Sequence, residues 1–386
     1  MKPIFLDHNG TTPVHPEVVR VMLPYFTEKP GNPSSVHSFG REAKVALEEA
    51  REKVAKLINS NPSEVIFTGC GSESDNLAIK GIAWVNRDKG KHLITSRIEH
   101  SAVLESCKWL EGEGFEVTYL DVDQQGLVNP IDLQKALKDD TTLVSIMYSN
   151  NEVGTIQPVK KLAEIAHQAG VYFHTDAVQA AGKIPIDVID LNVGLLSLSG
   201  HKLYAPKGVG ALYIKQGIKI EPWLHGGNQE RGKKAGTENI PYIVGFGKAC
   251  ELALEDMDEL RKKFSGLSQK FMEKVQAMIP DVKLNGHPTQ RAPNTVNLSF
   301  IGCEGDSVIL GLDLKGIAAS AGSACHSGAV EPSHVLAAMG LPLDVTRGSV
   351  RFSFGRDNTE KDIDYTCTVL TEVVEKLRKF TRSTAS

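Results

Sequence analysis

The sequence predicts an α/β protein with a large domain on a mainly parallel sheet and a smaller α+β domain. Two observations carry that reading. Short apolar runs alternate with amphipathic stretches over most of the chain. Repeated strand–helix units of this kind imply parallel strands covered on both faces. The texture then changes near residue 250, where a long charge-laced helical stretch replaces the alternation.

The elements follow in order. Ala43, Ala46, Leu47, Ala50, Val54, Leu57 and Ile58 recur at three- and four-residue steps, which marks an amphipathic helix. Residues 64–68 then read as a short buried strand. Further strands are expected at 92–95, 116–120, 143–148, 171–175 and 195–199, with helical patterns such as 159–169 between several of them. A glycine-punctuated apolar run at 208–214 closes this part. Beyond it, 251–279 reads as one long helix with a weak point at Gly266. Strands at 294–300 and 350–354 and a helix at 360–380 complete the smaller domain. The expected division is a large domain over 15–255 and a small one made of 1–14 and 256–386.

Composition narrows the function. The 386 residues are 41% hydrophobic and 23% charged, with a formal charge of −4. That is ordinary for a soluble globular protein. The charge and the lack of a clustered basic stripe argue against nucleic acid as a partner. No stretch has the length and apolarity to span a membrane. The N-terminus meets Asp7 too soon for a signal peptide, so a cytoplasmic protein is expected. Cys70, Cys107, Cys250, Cys303, Cys325 and Cys367 are scattered, with no pair at zinc-ligand spacing. Free thiols and no metal site are therefore expected.

The chemistry centres on Lys202, which closes Ser199-Gly200-His201-Lys202 between two apolar runs. A lysine among small and polar neighbours suits covalent capture of a carbonyl. Upstream, His174-Thr175-Asp176 ends another apolar run. An aspartate there can pair with a pyridinium nitrogen, and lysine plus carboxylate is the pair that pyridoxal 5′-phosphate (PLP) requires. Thr68-Gly69-Cys70-Gly71-Ser72 leads from a strand into a helix, as a phosphate cradle or as a turn capped by Ser72. His100 and Asn150 each follow a strand, and Gln179 lies one turn past Asp176. Ligands of open parallel sheets gather at the carboxyl ends of strands. Ser72, His100, Asn150, Asp176 and Lys202 all fall there. Cys325 sits in a run of small residues, 319–329, which suits a mobile loop bearing a nucleophilic thiol beside His326. Arg351 alternates with Val350 and Phe352, and could hold a carboxylate or form a salt bridge.

Several ordered motifs point to one family. They include Asp7-His8-Asn9-Gly10-Thr11-Thr12, Ser149-Asn150-Asn151-Glu152-Val153-Gly154 and His174-Thr175-Asp176-Ala177-Val178-Gln179. Gly236-Thr237-Glu238-Asn239 and Gly322-Ser323-Ala324-Cys325 continue the series. The chain resembles, nearly end to end, the cysteine desulfurases, the NifS/IscS-like branch of class V PLP enzymes. The resemblance implies the PLP-dependent transferase fold type I and conversion of L-cysteine to L-alanine. Lys202 would hold PLP through its ε-amine, Asp176 would pair with the ring nitrogen, and Gln179 would contact the ring hydroxyl. His100 would stack on the ring and move protons. Ser72, Ser199 and His201 would bind phosphate, joined by Thr237 from the neighbouring subunit of a homodimer. Asn150 and Arg351 would hold the substrate carboxylate. Cys325 would accept sulfur as a persulfide and pass it to an acceptor protein, such as an iron–sulfur scaffold or a thio-cofactor pathway. The Cys325-His326-Ser327 run also resembles selenocysteine lyases, so that activity, or another PLP aminotransferase or lyase, is the alternative. A non-catalytic scaffold is the reading furthest from these residues.

Overall fold

Seven of the apolar runs pair into one sheet. A computed structural model describes residues 3–321 and 333–384. Strand β1 is Ile4–Phe5. The sheet strands are β2 (Val65–Thr68), β3 (His92–Ser96), β4 (Glu116–Leu120), β5 (Thr141–Ser145), β6 (Tyr172–Asp176), β7 (Leu195–Ser199) and β8 (Gly210–Ile214). Their order is β2-β8-β7-β6-β5-β3-β4. Pairs from β7 to β4 are parallel, whereas β8 runs antiparallel to both neighbours. The exception follows from chain length. Only residues 200–209 join β7 to β8, too few for the crossover that a parallel return requires.

Within each strand, successive side chains point to opposite faces. Ile66, Leu93, Leu143 and Leu195 pack on one face with the helices Gly71–Val85 and Ser101–Gly112. Phe67, Ile94, Val144 and Leu196 pack on the other, with Ser38–Leu57, Val159–Gln168 and Ile240–Glu255. Both faces are dry, which explains why these strands read as continuous apolar runs. The run expected at 143–148 leaves the sheet early, at Ser145. It still follows β6, through Ile146 N to the His174 carbonyl and Tyr148 N to that of Asp176.

A separate core begins at Leu260 and takes in Phe264, Phe271, Phe300, Phe352 and Leu370. Its strands are β9 (Val282–Asn285), β10 (Thr295–Phe300), β11 (Ile317–Ala318) and β12 (Ser349–Ser353). Ile4 and Leu6 belong to this core, because β1 pairs in parallel with β11. One expectation needs correcting. The stretch 251–279 is not one helix; Ile240–Glu255 and Met257–Met278 meet at Asp256. Asp256 leaves the helical path (φ −97°, ψ 4°), and Arg356 Nη1 donates to its carboxylate at 2.5 Å. Gly266 stays helical; no atom would meet a Cβ there, and a mid-helix glycine costs only about 1 kcal/mol relative to alanine. No described helix is long and apolar enough to cross a membrane.

The segment after β8 is pinned by a buried ion pair. Glu230 and Arg231 adopt left-handed backbone (φ 47° and 59°), which non-glycine residues keep only when neighbours over-determine it. Arg51 supplies that constraint with two bonds to Glu230, at 2.7 and 2.9 Å, and Phe67 N adds a third at 2.9 Å. Glu230→Ala should lower unfolding free energy by about 3 kcal/mol, since the buried guanidinium would keep only the Val65 carbonyl and, as a charged partner, the half-exposed Glu48. Denaturant unfolding checks this. A loss below about 0.5 kcal/mol would contradict it.

Candidate active site

The carboxyl ends of β2, β3, β5, β6 and β7 open on one crevice, the expected ligand site of such a sheet. The crevice holds a cavity of about 1060 Å³. Ser72, His100, Asp176, Gln179, Ser199, His201 and Lys202 line it from the large sheet. Arg351 and Ser320 close it from the second core. Thr237 does not line its own chain's cavity. Cys325 and His326 lie outside the described residues.

Lys202 stands in the tight turn after β7. Its Nζ donates to the Asn9 and Gly10 carbonyls at 2.5 and 2.6 Å. Burial, followed by the Arg351 charge, lowers its pKa to about 8, against the pull of Asp7 and Asp176. The amine is thus held by the N-terminal segment and is more easily neutral than a surface lysine.

Asp176 ends β6, where Oδ1 accepts from Val178 N at 2.9 Å. Burial raises its pKa; His100, Val178 N–H and Lys202 oppose the rise. Two further carboxyls are buried close by. Glu99 is pushed up to about 8 by burial. Asp75 is pushed well up by burial and by the Asp176 charge. The imidazole beneath them, His174, is lowered to about 3 by burial. It bridges the Ser145 and Ser197 hydroxyls at 2.8 and 2.9 Å. Asp176 lines the cavity at the end of β6, where its carboxylate can pair with a heterocyclic N–H⁺.

The opposite end suits an anion. Ser72 lies in the first turn of Gly71–Val85, a 15-residue helix. The cap is Cys70, not Ser72, with Sγ accepting from Glu73 N at 3.4 Å. The Ser199 hydroxyl is buried without a partner among the described residues. A Cβ at Gly71 would meet Val178 Cγ2 at 2.9 Å and Ser199 Cβ at 3.2 Å. Glycine therefore lets this serine approach the helix N-terminus, whose free N–H groups attract anions. His201, 3.2 Å from Thr11 Oγ1 through Nδ1, is lowered to about 4 by burial and then by the charge of Lys202.

On the third side, Arg351 projects from β12 while Val350 and Phe352 enter the second core. Its Nη1 donates to the Asn151 carbonyl at 2.9 Å and Nη2 to Asp7 Oδ1 at 2.7 Å. Nε has no partner among the described residues. His100 caps Ser101–Gly112, accepting from Ala102 N at 3.1 Å through Nδ1.

Asn150 is corrected. Its carboxamide is fully buried and spent on its own loop and the neighbouring one after β3. It donates to the Ile98 carbonyl at 3.0 Å and accepts from Glu152 N and Val153 N at 2.9 and 3.0 Å. This is an Asx-type turn. The asparagine that lines the cavity is Asn151. The residue readings also missed Asn9, a junction for the whole site. It donates to the Asn151 carbonyl and Thr295 Oγ1, and accepts from Gln179, Lys183, Lys202 and Asn294. Lys183, Asp75, Glu99 and Glu152 were missed as well. For Lys183 the available signal was an ionisable residue inside a mostly apolar run, Ala180-Ala181-Gly182-Lys183-Ile184; Glu99 had none.

Comparison with known proteins agrees with this geometry. The family model described as Aminotransferase class-V matches residues 4–366. A cysteine desulfurase IscS of Methanosarcina thermophila is 55% identical over 377 residues, covering 98% of this chain and 93% of the relative. Another, of Dictyoglomus turgidum, is 53% identical over 377 residues, covering 98% and 96%. A solved NifS-like protein superposes with a TM-score of 0.91 at 39% identity, covering 97% of this chain and 99% of the other.

Proposed function

The chain belongs to the class-V aminotransferase family and is a PLP-dependent cysteine desulfurase; on that premise we propose how its residues divide the work. The observation that carries the reading is the placing of Lys202. A weakly basic amine stands between an acid-rich floor ending in Asp176 and an unpartnered serine at a helix N-terminus. These residues fit a phosphorylated pyridine aldehyde. When bound, PLP supplies an electron sink for the amino acid attached to it.

Lys202 Nζ holds the cofactor and, once released, takes the α-proton of L-cysteine. Asp176 keeps the ring nitrogen protonated. Ser72, Ser199 and His201 grip the phosphate, with Thr237 of a second copy completing the set in a homodimer. Gln179 donates to the ring oxygen, and His100 stacks on the ring and moves a proton near the thiol. Arg351 takes the substrate carboxylate through its unpaired edge, and Asn151 stands where Asn150 was expected. Cys325 Sγ, as the thiolate, would bond to the substrate sulfur as the substrate Cβ–S bond breaks, the bonding pair staying with Cβ, which takes up a proton. Alanine leaves, and a persulfide on Cys325 waits for a sulfur-acceptor protein of iron–sulfur or thio-cofactor assembly. The five described cysteines are free thiols, which supports a reducing, cytoplasmic setting.

The test adds L-cysteine and a thiol reductant to the purified protein and follows sulfide, alanine and the visible spectrum together. Equal yields of alanine and sulfide, with a spectral change on mixing, are expected. Transfer of the cysteine amino group to an added keto acid, without sulfide, would establish transamination instead.

A further inference from the structure

Lys183 is a buried lysine with no acidic partner among the described residues. Only 6% of it is exposed, yet its two hydrogen bonds go to neutral oxygens. Nζ donates to Gln179 Oε1 at 2.6 Å and to Asn9 Oδ1 at 3.3 Å. Burial and the Lys202 and Arg351 charges hold its pKa well below the usual lysine value. A lysine kept there at such a cost needs a purpose that a methionine of similar shape would not serve.

The purpose is visible in Gln179. A carboxamide presents an acceptor at one end and a donor at the other, and its shape alone does not decide which faces where. Here both ends are decided. The Lys183 amine offers N–H at 2.6 Å, so the near atom is the amide oxygen. On the other side stands the Asn9 carbonyl, which only accepts, at 2.9 Å from Nε2. A flipped amide would set N–H against N–H and oxygen against oxygen. With that orientation Nε2 keeps a second N–H in the cavity that Gln179 lines. The same Asn9 carbonyl accepts from Lys202 Nζ at 2.5 Å, so the amide donor neighbours the amine that binds the aldehyde. In PLP the phenolic oxygen sits on the ring carbon next to the one bearing the aldehyde.

We propose that Lys183 is a positioning residue: by fixing the Gln179 carboxamide it makes this wall a donor, so that the site selects a cofactor carrying an oxygen acceptor beside its aldehyde. The inference rests on the PLP reading above. Its content is the polarity of one amide and the residue that sets it.

The experiment titrates the cofactor-stripped full chain with PLP and with 3-deoxypyridoxal 5′-phosphate, which lacks the phenolic oxygen, by tryptophan fluorescence and visible absorbance. Wild type should bind PLP at least about tenfold tighter than the deoxy compound, the scale of one hydrogen bond to a charged oxygen. Lys183→Met should lose that preference by weakening PLP alone; unchanged deoxy binding shows that the variant folds. Gln179→Glu, which turns the donor into an acceptor, should prefer the deoxy compound. Equal weakening of both ligands in Lys183→Met would overturn the proposal and leave Lys183 a packing residue. So would a wild type that does not discriminate. A wild type that captures neither aldehyde would refute the PLP reading itself, a separate result.

Discussion

Lys202→Ala should give a colourless protein that releases no sulfide from L-cysteine above background, a fall of at least about 10⁴-fold. On the proposed roles, one side chain would carry two duties, anchoring the cofactor and taking the α-proton. Its environment is tuned for both. With a pKa near 8, roughly a tenth of the amine is neutral at pH 7, against far less than 1% for an ordinary lysine. Capture of added PLP by the stripped wild type should therefore speed up as pH rises toward 8 and level off above it. The direction follows from the lowered pKa: the neutral, reactive form grows with pH and saturates once the amine has lost its proton. Absorbance and sulfide assays of Lys202→Ala, and stopped-flow capture by wild type, check both statements. A yellow, active Lys202→Ala would remove the anchor assignment.

Cys325→Ala should keep the colour of the bound cofactor and its spectral response to L-cysteine, yet lose sulfide release by at least about 10³-fold. The cofactor site is assembled without that residue, so binding survives. The thiol proposed to receive sulfur would be gone. The other cysteines offer no substitute. Burial pushes the Cys107 thiol up to about 12 and that of Cys367 to about 11, and raises Cys250 and Cys303 as well. A thiolate is the nucleophilic form, so these groups are inert. Cys70 faces the phosphate end and serves as a helix cap. Desulfuration at the wild-type rate by Cys325→Ala would overturn the acceptor assignment.

Legibility in the sequence depended on where a residue's partners lie. The strands of the main sheet read clearly because both faces are buried, and β7 starts and ends where its apolar run does. Lys202 and Asp176 could be found because each combines a distinctive chemistry with a strand end. The choice between Asn150 and Asn151 could not. Both sit in one turn, and which carboxamide folds back on the loop is a one-residue matter of backbone geometry. The helix break at Asp256 was hidden because the partner of its carboxylate, Arg356, is far along the chain, whereas Gly266 carried a visible but weak propensity signal. Lys183 gave no sign of its role, since its meaning comes from Asn9, brought to it only by the fold. Asp75 and Glu99 were hidden for the same reason. Each is ordinary in its own segment, and only the packed crevice removes the solvent and raises their pKa values.

The covalent attachment point is the claim that all other roles presuppose, and borohydride reduction of the purified holoprotein followed by peptide mass spectrometry reads it directly. One phosphopyridoxyl group per chain should be found, on the peptide holding Lys202 and on that side chain. The same label on Lys183, the other buried lysine of low basicity at this site, or no label on either, would contradict the account.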